Sequence, residues 1–310
     1  MTKRDFLTDD DVSGDELTAL LDAADRYKAE RQPSSTLGGR SVALLFEKPS
    51  TRTRVSFEVA VHELGGHPVA LAGADLQTGR GETLEDTAAV LSRYVHAIVL
   101  RTFAQESLER MARAGTVPVV NALSDYAHPC QALADLQTIR ERRKQLEGLR
   151  LAYLGDGNNV CHSLLIACTK MGMHVAVATP AGYEPIPQVV RRATEIAAET
   201  GGSVELTHDP QAAAKDADVL YTDVWASMGQ ELEHGERALI FKPYQLSTDT
   251  VAVASSNAMV LHCLPAHRGE EITADVLDGP SSAVFDQAEN RLHTQKALLS
   301  WLMTGSPGPS

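Results

Sequence analysis

The chain has 310 residues, of which 43% are hydrophobic and 22% charged, a balance that is ordinary for globular proteins. Its length favours two domains, because a single hydrophobic core seldom grows beyond roughly 250 residues. The formal net charge of −13 opposes the attraction to phosphate backbones or anionic lipid on which nucleic-acid-binding and membrane-surface proteins depend.

Short apolar runs rich in β-branched residues alternate with longer segments of helical character, which predicts an α/β fold with parallel sheets. The predicted strands are residues 42–46, 69–72, 97–101 and 117–121 in the first half and residues 151–154, 175–179, 204–207, 219–222 and 259–262 in the second half. Helices are predicted at residues 15–31, 131–148 and 288–303. The helix at 131–148 lies between the two halves, so it is the candidate bridge between domains.

Location and redox state are predicted from two further features. The first residues, MTKRDFLTDDD, carry acids where a secretory signal has an apolar stretch, and no run approaches the roughly 20 apolar residues of a membrane span. Cys130, Cys161, Cys168 and Cys263 form neither a C-x-x-C pair nor a dense disulfide framework. We therefore expect a cytoplasmic protein with reduced cysteines.

A strand, a loop and a helix meet at residues 46–65, FEKPSTRTRVSFEVAVHELG. Pro49 and Ser50 indicate a turn, and apolar residues then recur at helical intervals until Gly65. Such a junction suits a phosphate, because backbone N–H groups and the positive end of the helix dipole lie beside hydroxyl and guanidinium donors. The alternative is an ordinary N-cap followed by exposed arginines, since Ser and Thr are common caps.

An imidazole, a thiol and an amide stand directly before a predicted helix in SDYAHPCQALAD, residues 124–135. The neutral imidazole of His128 or the amide of Gln131 can donate to a carbonyl oxygen and polarise it. The alternative is a helix-entry turn with a surface histidine. His128 and Cys130 do not reproduce the ligand spacing of a zinc site, so no metal is expected.

The segment LAYLGDGNNVCHSLL, residues 151–165, contains a strand, a glycine turn and a helix, as dinucleotide-binding proteins do. Gly155 and Gly157 occupy the first two positions of the G-x-G-x-x-G fingerprint, but Val160 occupies the third, and no suitable acid follows at the required distance. A nicotinamide-dependent dehydrogenase is therefore a disfavoured alternative. Asn158 and Asn159 instead offer amide groups at the start of the helix.

Two later motifs follow predicted strands. Asp223 comes directly after residues 219–222, where an acid can bind an ammonium group of a ligand or cap a helix. HCLPAHRG begins at the end of strand 259–262, on the edge where open α/β sheets usually bind ligands. Cys263 is either an active-site thiol or a small buried hydrophobe. A cis bond before Pro265 is a further option, since it would direct a backbone carbonyl toward a ligand.

Together these motifs resemble the aspartate/ornithine carbamoyltransferase family, from about Leu45 through Arg291. FEKPSTRTRVSFE and HPCQALAD resemble the carbamoyl-phosphate motifs of the whole family, whereas DVWASMGQE and HCLPAHRGEEI are similar to those of its ornithine-using members. The resemblance implies two doubly wound α/β domains, each with a central parallel sheet flanked by helices, joined by interdomain helices. It implies a carbamoyl-phosphate-binding domain at 1–147, with a C-terminal helix at about 288–304 packed on it, and an ornithine-binding domain at 148–287.

The resemblance also implies a role for each motif residue. The residues implied to bind carbamoyl phosphate are Ser50, Thr51, Arg52, Thr53, Gln77, Arg101, His128, Pro129, Cys130, Gln131 and Arg291. Those implied to bind ornithine are Asn159, Asp223, Ser227, Met228, Cys263 and Leu264, and those implied to be catalytic are Cys263, Asp223, Arg101 and His128. The expected reaction carries the carbamoyl group from carbamoyl phosphate to the δ-amino group of L-ornithine in arginine biosynthesis, without a metal or cofactor.

Gln77 lies in DLQTGRGETLEDT, a loop that members of the family lend to the active site of a neighbouring subunit, so a homotrimer is implied. Where aspartate-using members have a catalytic lysine in this loop, this sequence has Arg80, which counts against aspartate as acceptor. The remaining alternative is a carbamoyltransferase for another amine, such as putrescine or N-acetylornithine. An acid at Asp223 suits a free α-ammonium group and therefore favours ornithine.

Overall fold

The computed structural model describes residues 3–31, 33–73, 81–226 and 234–308. The chain divides into two compact units. Unit 1 consists of Met1–Gln137 and Glu289–Ser310, and unit 2 consists of Thr138–Ala288.

The described residues form strands and helices that alternate along most of the chain. The strands are β1 (Ser41–Phe46), β2 (His67–Ala72), β3 (Ala97–Arg101), β4 (Val119–Leu123), β5 (Arg150–Leu154), β6 (His174–Ala178), β7 (Ser203–Thr207), β8 (Val219–Thr222) and β9 (Met259–His262). The helices are α1 (Gly14–Ala29), α2 (Thr51–Glu63), α3 (Leu84–Leu91), α4 (Gln105–Ala114), α5 (Pro129–Arg143), α6 (Asn159–Lys170), α7 (Pro187–Thr200), α8 (Pro210–Ala214), α9 (His234–Phe241), α10 (Thr248–Val253), α11 (Ala274–Leu277) and α12 (Val284–Thr304).

Each unit is built on one parallel sheet. The sheet of unit 1 has the order β2-β1-β3-β4, and that of unit 2 has the order β7-β6-β5-β8-β9. The predicted α/β fold with parallel sheets is confirmed, and each predicted strand is present. Central strands such as β1 and β5 are almost wholly buried, because a parallel sheet is covered on both faces, and they therefore form continuous apolar runs.

Most observed boundaries differ from the predicted ones by one or more residues, and α12 begins at Val284 rather than at residue 288. Two of these differences have a clear physical reason. β4 begins at Val119 rather than at residue 117, because Pro118 has no N–H to donate to the ladder. The helix predicted over 131–148 is α5, which ends at Arg143. Lys144 has a left-handed φ of 67° and donates its N–H to the carbonyl of Arg140 at 2.8 Å, and this ends the helix before Gly148.

The strand order creates a ligand-binding edge in each sheet. β1 lies between β2 and β3, and β5 lies between β6 and β8, so the chain winds away in opposite directions on the two sides of β1 and of β5. Open α/β sheets bind ligands beyond the carboxyl ends of their strands at such a switch point. The motifs of the sequence follow β1, β3 and β4 in unit 1 and β5, β8 and β9 in unit 2.

Within the described ranges, none of the helices has both the length and the apolar character needed to cross a membrane. None of the four cysteines takes part in a disulfide, in agreement with the expected reduced thiols.

Candidate active site

The turn from β1 into α2 leaves donors available to a ligand. Ser50 is the N-cap of α2, yet its hydroxyl makes no capping hydrogen bond. The backbone N–H groups of the first helical turn have no acceptor within the helix. Arg52 and Arg54 are both exposed, but Arg54 is paired with Glu58 at 2.8 Å, one turn along the helix. Arg54 is therefore a helix-surface residue, whereas Arg52 remains a candidate for anion binding.

Arg291 of α12 connects the helices that begin at this edge. Its guanidinium donates to Oε1 of Gln131 at 2.7 Å and to the hydroxyl of Thr53 at 3.3 Å, and all three side chains are buried. The amide of Gln131 in turn donates to Asp135 at 2.8 Å. These hydrogen bonds hold the side chains of Thr53, Gln131 and Arg291 in place relative to one another.

His128, directly before α5, is surrounded by positive charge. Burial lowers the pKa of His128 well below its ordinary value of 6.5, and the charges of Arg291, Arg101 and Arg52 lower it further. The imidazole is therefore neutral near pH 7, and with 5% exposure it is not the surface histidine of the alternative interpretation. Three guanidinium groups around one neutral imidazole suit a phosphate dianion attached to a carbonyl group.

The thiol of Cys130 is not available to a ligand, although it lies beside the candidate binding residues His128 and Gln131. Its side chain is fully buried and donates to the backbone carbonyl of Asn121 at 3.3 Å. Burial raises the pKa of this thiol to about 12, so it stays protonated and unreactive at neutral pH. If Pro129 and Cys130 bind a ligand, they do so through their main chain.

Asp223 is the centre of the arrangement in unit 2. It follows β8, is 6% exposed, and accepts a hydrogen bond from the Cys263 thiol at 3.0 Å. Its second oxygen accepts from the amide of Asn158 at 2.9 Å. The carbonyl oxygen of that same Asn158 side chain caps α6 by accepting from Val160 and Cys161. A carboxylate has about four acceptor positions, so an ammonium group can still bind Asp223.

The turn after β9 has a strained conformation. The Leu264–Pro265 peptide bond is cis, the option considered from the sequence, and Leu264 has a φ of 57°. A non-glycine residue in this left-handed region costs about 1 kcal/mol or more. The N–H of Leu264 donates to Nδ1 of His262 at 2.9 Å, which stabilises the turn that carries Cys263.

Among the residues that the structure describes, two groups of side chains have the composition of metal ligands. The groups are Asp223, His262 and Cys263, and His267, Glu270 and Glu271, each with its ligand atoms within 4.8 Å of one another. In the first group, Nδ1 of His262 accepts from Leu264, so the ring proton is on Nε2, which donates to Glu271 at 3.1 Å. An imidazole ligand needs an uncommitted nitrogen lone pair. The geometry therefore does not favour a metal at Cys263.

Family models match both units of the chain. The model described as the carbamoyl-P binding domain of aspartate/ornithine carbamoyltransferase matches residues 4–141, and the Asp/Orn binding domain model matches residues 147–302. The chain belongs to the aspartate/ornithine carbamoyltransferase family. The resemblance drawn from the sequence motifs is thereby confirmed.

Relatives in this family are similar over nearly the whole chain. An ornithine carbamoyltransferase of Parafrankia sp. is 66% identical over 98% of this chain and 97% of its own length. A Pyrococcus furiosus relative named as an anabolic ornithine carbamoyltransferase is 55% identical, with 97% of each chain covered. The solved structure of ornithine carbamoyltransferase from Pyrococcus furiosus superposes with a TM-score of 0.95 at 54% identity and 98% coverage of both chains.

The described candidates of each unit lie at the carboxyl ends of its strands. In unit 1 these are Ser50, Thr51, Arg52, Thr53, Arg101, His128, Pro129, Cys130 and Gln131, which Arg291 joins from α12; in unit 2 they are Asn159, Asp223, Cys263 and Leu264. Gln77, Ser227 and Met228 lie outside the described residues, as does Arg80. The roles of all these residues in this family member stay predictions.

The glycine turn after β5 also bears on the dehydrogenase alternative. A Cβ placed on Gly157 would lie 2.3 Å from the backbone nitrogen of Pro185, and the N–H of Gly157 donates to the carbonyl of Tyr183 at 2.9 Å. The chain itself therefore approaches this glycine at the place where a dinucleotide-binding turn admits a pyrophosphate. The glycine serves close packing of two backbone segments.

The sequence motifs did not indicate one charged pair in unit 2. Arg237 of α9 donates to the carboxylate of Asp156 and to the backbone carbonyl of Trp225. Asp156 lies inside the GDGNN segment, so its acidic side chain was visible, but its partner is far away in sequence and follows no spacing rule. Such a pair could have been suspected only from the cost of burying an isolated acid.

Replacing His128 should make the protein less sensitive to acid. Because the folded state holds this histidine neutral, the unfolded state binds the extra proton below pH 6.5, and the free energy of unfolding falls as pH decreases. One such group contributes up to about 1.4 kcal/mol per pH unit. In His128→Gln, urea unfolding should therefore show a weaker decline between about pH 6.5 and pH 5.

The control is His62→Gln, since His62 is an exposed histidine of the same unit. This substitution makes the same chemical change and leaves His128 in place. A decline in His128→Gln as steep as in this control would contradict the assignment of His128 as a histidine kept neutral by burial and positive charge.

Proposed function

We infer that this protein transfers the carbamoyl group of carbamoyl phosphate to the δ-amino group of L-ornithine, giving L-citrulline and phosphate. The observation that carries the inference is the buried carboxylate of Asp223 beside the thiol of Cys263, because such an acid suits a free α-ammonium group. The high identity to relatives named ornithine carbamoyltransferase over nearly the full chain supports the same acceptor. The anabolic relative supports a role in arginine biosynthesis.

Carbamoyl phosphate is assigned to the switch point of unit 1. Its phosphate binds the first turn of α2 and the side chains of Ser50, Thr51, Arg52 and Thr53. Its carbamoyl group binds Arg101, His128 and Gln131. This assignment is supported by the charges of Arg52, Arg101 and Arg291 acting on one neutral imidazole. Fixed donors of this kind stabilise negative charge without having to reorganise during the reaction.

Ornithine is assigned to the switch point of unit 2. Its α-ammonium group pairs with Asp223, and Asn159, Ser227 and Met228 complete the binding of its amino-acid end. Cys263 and Leu264 lie beside the reacting amine. The assignment is supported by the buried, hydrogen-bonded state of Asp223, because a desolvated carboxylate gains most from a cationic partner.

The chemistry follows from these donors. The δ-amine attacks as the neutral base, although an alkylammonium has an ordinary pKa of about 10.4, so the site must remove one proton. The amine lone pair forms the C–N bond while the carbonyl electrons move onto oxygen, where Arg101, His128 and Thr53 stabilise the charge. As the carbonyl re-forms, the C–O bond to phosphate breaks. Phosphate leaves with that electron pair, held by Arg52, and takes up the proton that the attacking nitrogen loses.

The assembly proposed is a homotrimer in which Gln77 serves the site of a neighbouring subunit. Among the described residues of unit 1, four large apolar side chains are exposed in the single chain, Val55, Val90, Tyr94 and Phe103, and a subunit contact would cover such groups. A mass near 33.4 kDa in light scattering would contradict the trimer. The proposed location is the cytoplasm, where cysteines without disulfides are the rule.

The function is tested with a panel of amines. Carbamoyl phosphate is supplied with ornithine, aspartate, putrescine or N-acetylornithine, and the carbamoylated product of each is measured. Ornithine should be preferred by about 100-fold or more in kcat/KM, because each competitor lacks a charged group of ornithine or adds a group that the acceptor site must reject. Preference for another amine would overturn the acceptor assignment and leave the phosphate assignment standing. No turnover with any amine would overturn both.

A further inference from the structure

The guanidinium of Arg237 is buried among aromatic rings, where an unpaired charge would be costly. Its side chain is 5% exposed, and it lies 4.9 Å from the ring centre of Tyr183 and 5.0 Å from that of Phe241. Trp225 is also buried and stacks on Phe241 at 6.1 Å. A buried cation of this kind is stable only when its N–H groups donate hydrogen bonds to well-placed acceptors.

Among the described residues, two acceptors meet this guanidinium, and they come from different segments of unit 2. Nη2 donates to the carboxylate of Asp156, in the turn between β5 and α6, and Nε donates to the backbone carbonyl of Trp225. Trp225 is two residues beyond Asp223. Arg237 therefore holds the backbone that carries Asp223 against the turn that carries Asn158, the residue whose amide donates to Asp223.

Arg237 and the acids Asp156 and Asp223 contribute charge to this region of unit 2. Burial raises the pKa of Asp156 to about 6; Arg237 opposes this effect and the nearby charge of Asp223 adds to it. When both acids are ionised, Arg237 cancels the charge of Asp156. Because the carboxylate of Asp156 is bonded to Arg237, Asp223 is the acid of this group that is assigned to the ammonium group of the acceptor.

We propose that Arg237 is a positioning residue of the acceptor site, which fixes Asp223 for the α-ammonium group through its two hydrogen bonds to Asp156 and Trp225. The inference rests on the proposed function, because it concerns how the amine acceptor is bound. Arg237 acts through the position of Asp223 and takes no part in the reaction itself.

The test compares Arg237→Gln and Arg237→Lys with the unmodified protein. Arg237→Gln should lower kcat/KM for ornithine by roughly 10- to 100-fold, mainly through KM, because two charge-assisted hydrogen bonds that order the site are lost. Arg237→Lys keeps the charge but lacks the planar fork that reaches two acceptors, so it should show a smaller loss of the same kind. The KM for carbamoyl phosphate should not change in either variant.

A second probe separates positioning from general damage to the fold. 5-Aminopentanoate has the carboxylate and terminal amine of ornithine but no α-ammonium group, and its inhibition constant against ornithine is measured. Arg237→Gln should leave this constant nearly unchanged. The control Arg192→Gln removes an exposed arginine of the same unit, paired with Glu195 at 3.5 Å, and should behave like the unmodified protein.

Failure of the Arg237 proposal can be distinguished from failure of the proposed function. If the unmodified protein prefers another amine, the proposed function fails, and the Arg237 variants are compared with that amine instead. Ornithine KM at the unmodified level in folded Arg237→Gln would overturn the positioning role. Equal weakening of ornithine, 5-aminopentanoate and carbamoyl phosphate would also overturn it, since that pattern indicates structural damage. If Arg237→Gln does not fold, Arg237→Lys gives the same comparison.

Discussion

Arg52→Ala and Arg101→Ala should each lower kcat for citrulline formation by roughly 100- to 1,000-fold, the usual cost of removing one donor from a site that stabilises developing negative charge. Both guanidinium groups act on the imidazole of His128, so both lie where the phosphate and carbonyl oxygens are assigned. In the proposed mechanism their charge stabilises the transition state more than the ground state, because negative charge grows on those oxygens during attack. The loss should therefore appear mainly in kcat.

The matched control for this prediction is Arg54→Ala. Arg54 lies two residues from Arg52 on α2, is also exposed, and is paired with Glu58. Its truncation should alter turnover little and stability by no more than about 0.5 kcal/mol. Initial rates at saturating carbamoyl phosphate and ornithine, with melting curves for each variant, make the comparison. Near-normal turnover in folded Arg52→Ala or Arg101→Ala would remove these arginines from the proposed mechanism.

The fold could be predicted from the sequence because its strands are short, apolar and separated by helices. β3, β8 and β9 were predicted to the residue, since each is a buried run that ends at a polar residue or turn. The end of α5 was missed because it depends on Lys144, whose left-handed backbone has no signature in a lysine. A glycine at that position would have indicated the helix end.

The candidate site could be predicted only in part, because local sequence patterns locate residues near strand ends but do not indicate contacts between distant segments. Asp223 directly follows a predicted strand, and Ser50 lies in the short loop between a predicted strand and the next helix, so the topology of a parallel sheet places both at its ligand-binding edge. The contact between Asp156 and Arg237 joins segments far apart in the chain, and no local rule connects them. Long-range polar pairs of this kind depend on tertiary packing, which periodicity and motif spacing do not contain.

Asp223→Asn should raise the KM for ornithine by about 100-fold or more, because the loss of one charge from a buried ion pair commonly costs 2–5 kcal/mol in binding. Asp223 is 6% exposed and receives hydrogen bonds from Cys263 and Asn158, so solvent can do little to replace its charge. Asparagine has nearly the same shape, and the KM for carbamoyl phosphate should be unaffected. Asp275→Asn, at an exposed acid of the same unit, is the control and should leave both KM values unchanged.

The same variant also separates two possible actions of Asp223, on the α-ammonium group and on the reacting amine. An acid that pairs only with the α-ammonium group stabilises ornithine but not 5-aminopentanoate, so Asp223→Asn should weaken binding of the first and leave the second nearly unchanged. If the carboxylate of Asp223 instead removes a proton from the reacting amine through Cys263, Asp223→Asn would lower kcat as well as raise KM. We expect the first pattern, because the hydrogen bond from Cys263 to Asp223 leaves the thiol proton directed at the carboxylate. A large fall in kcat at saturating ornithine would instead assign Asp223 to deprotonation of the amine.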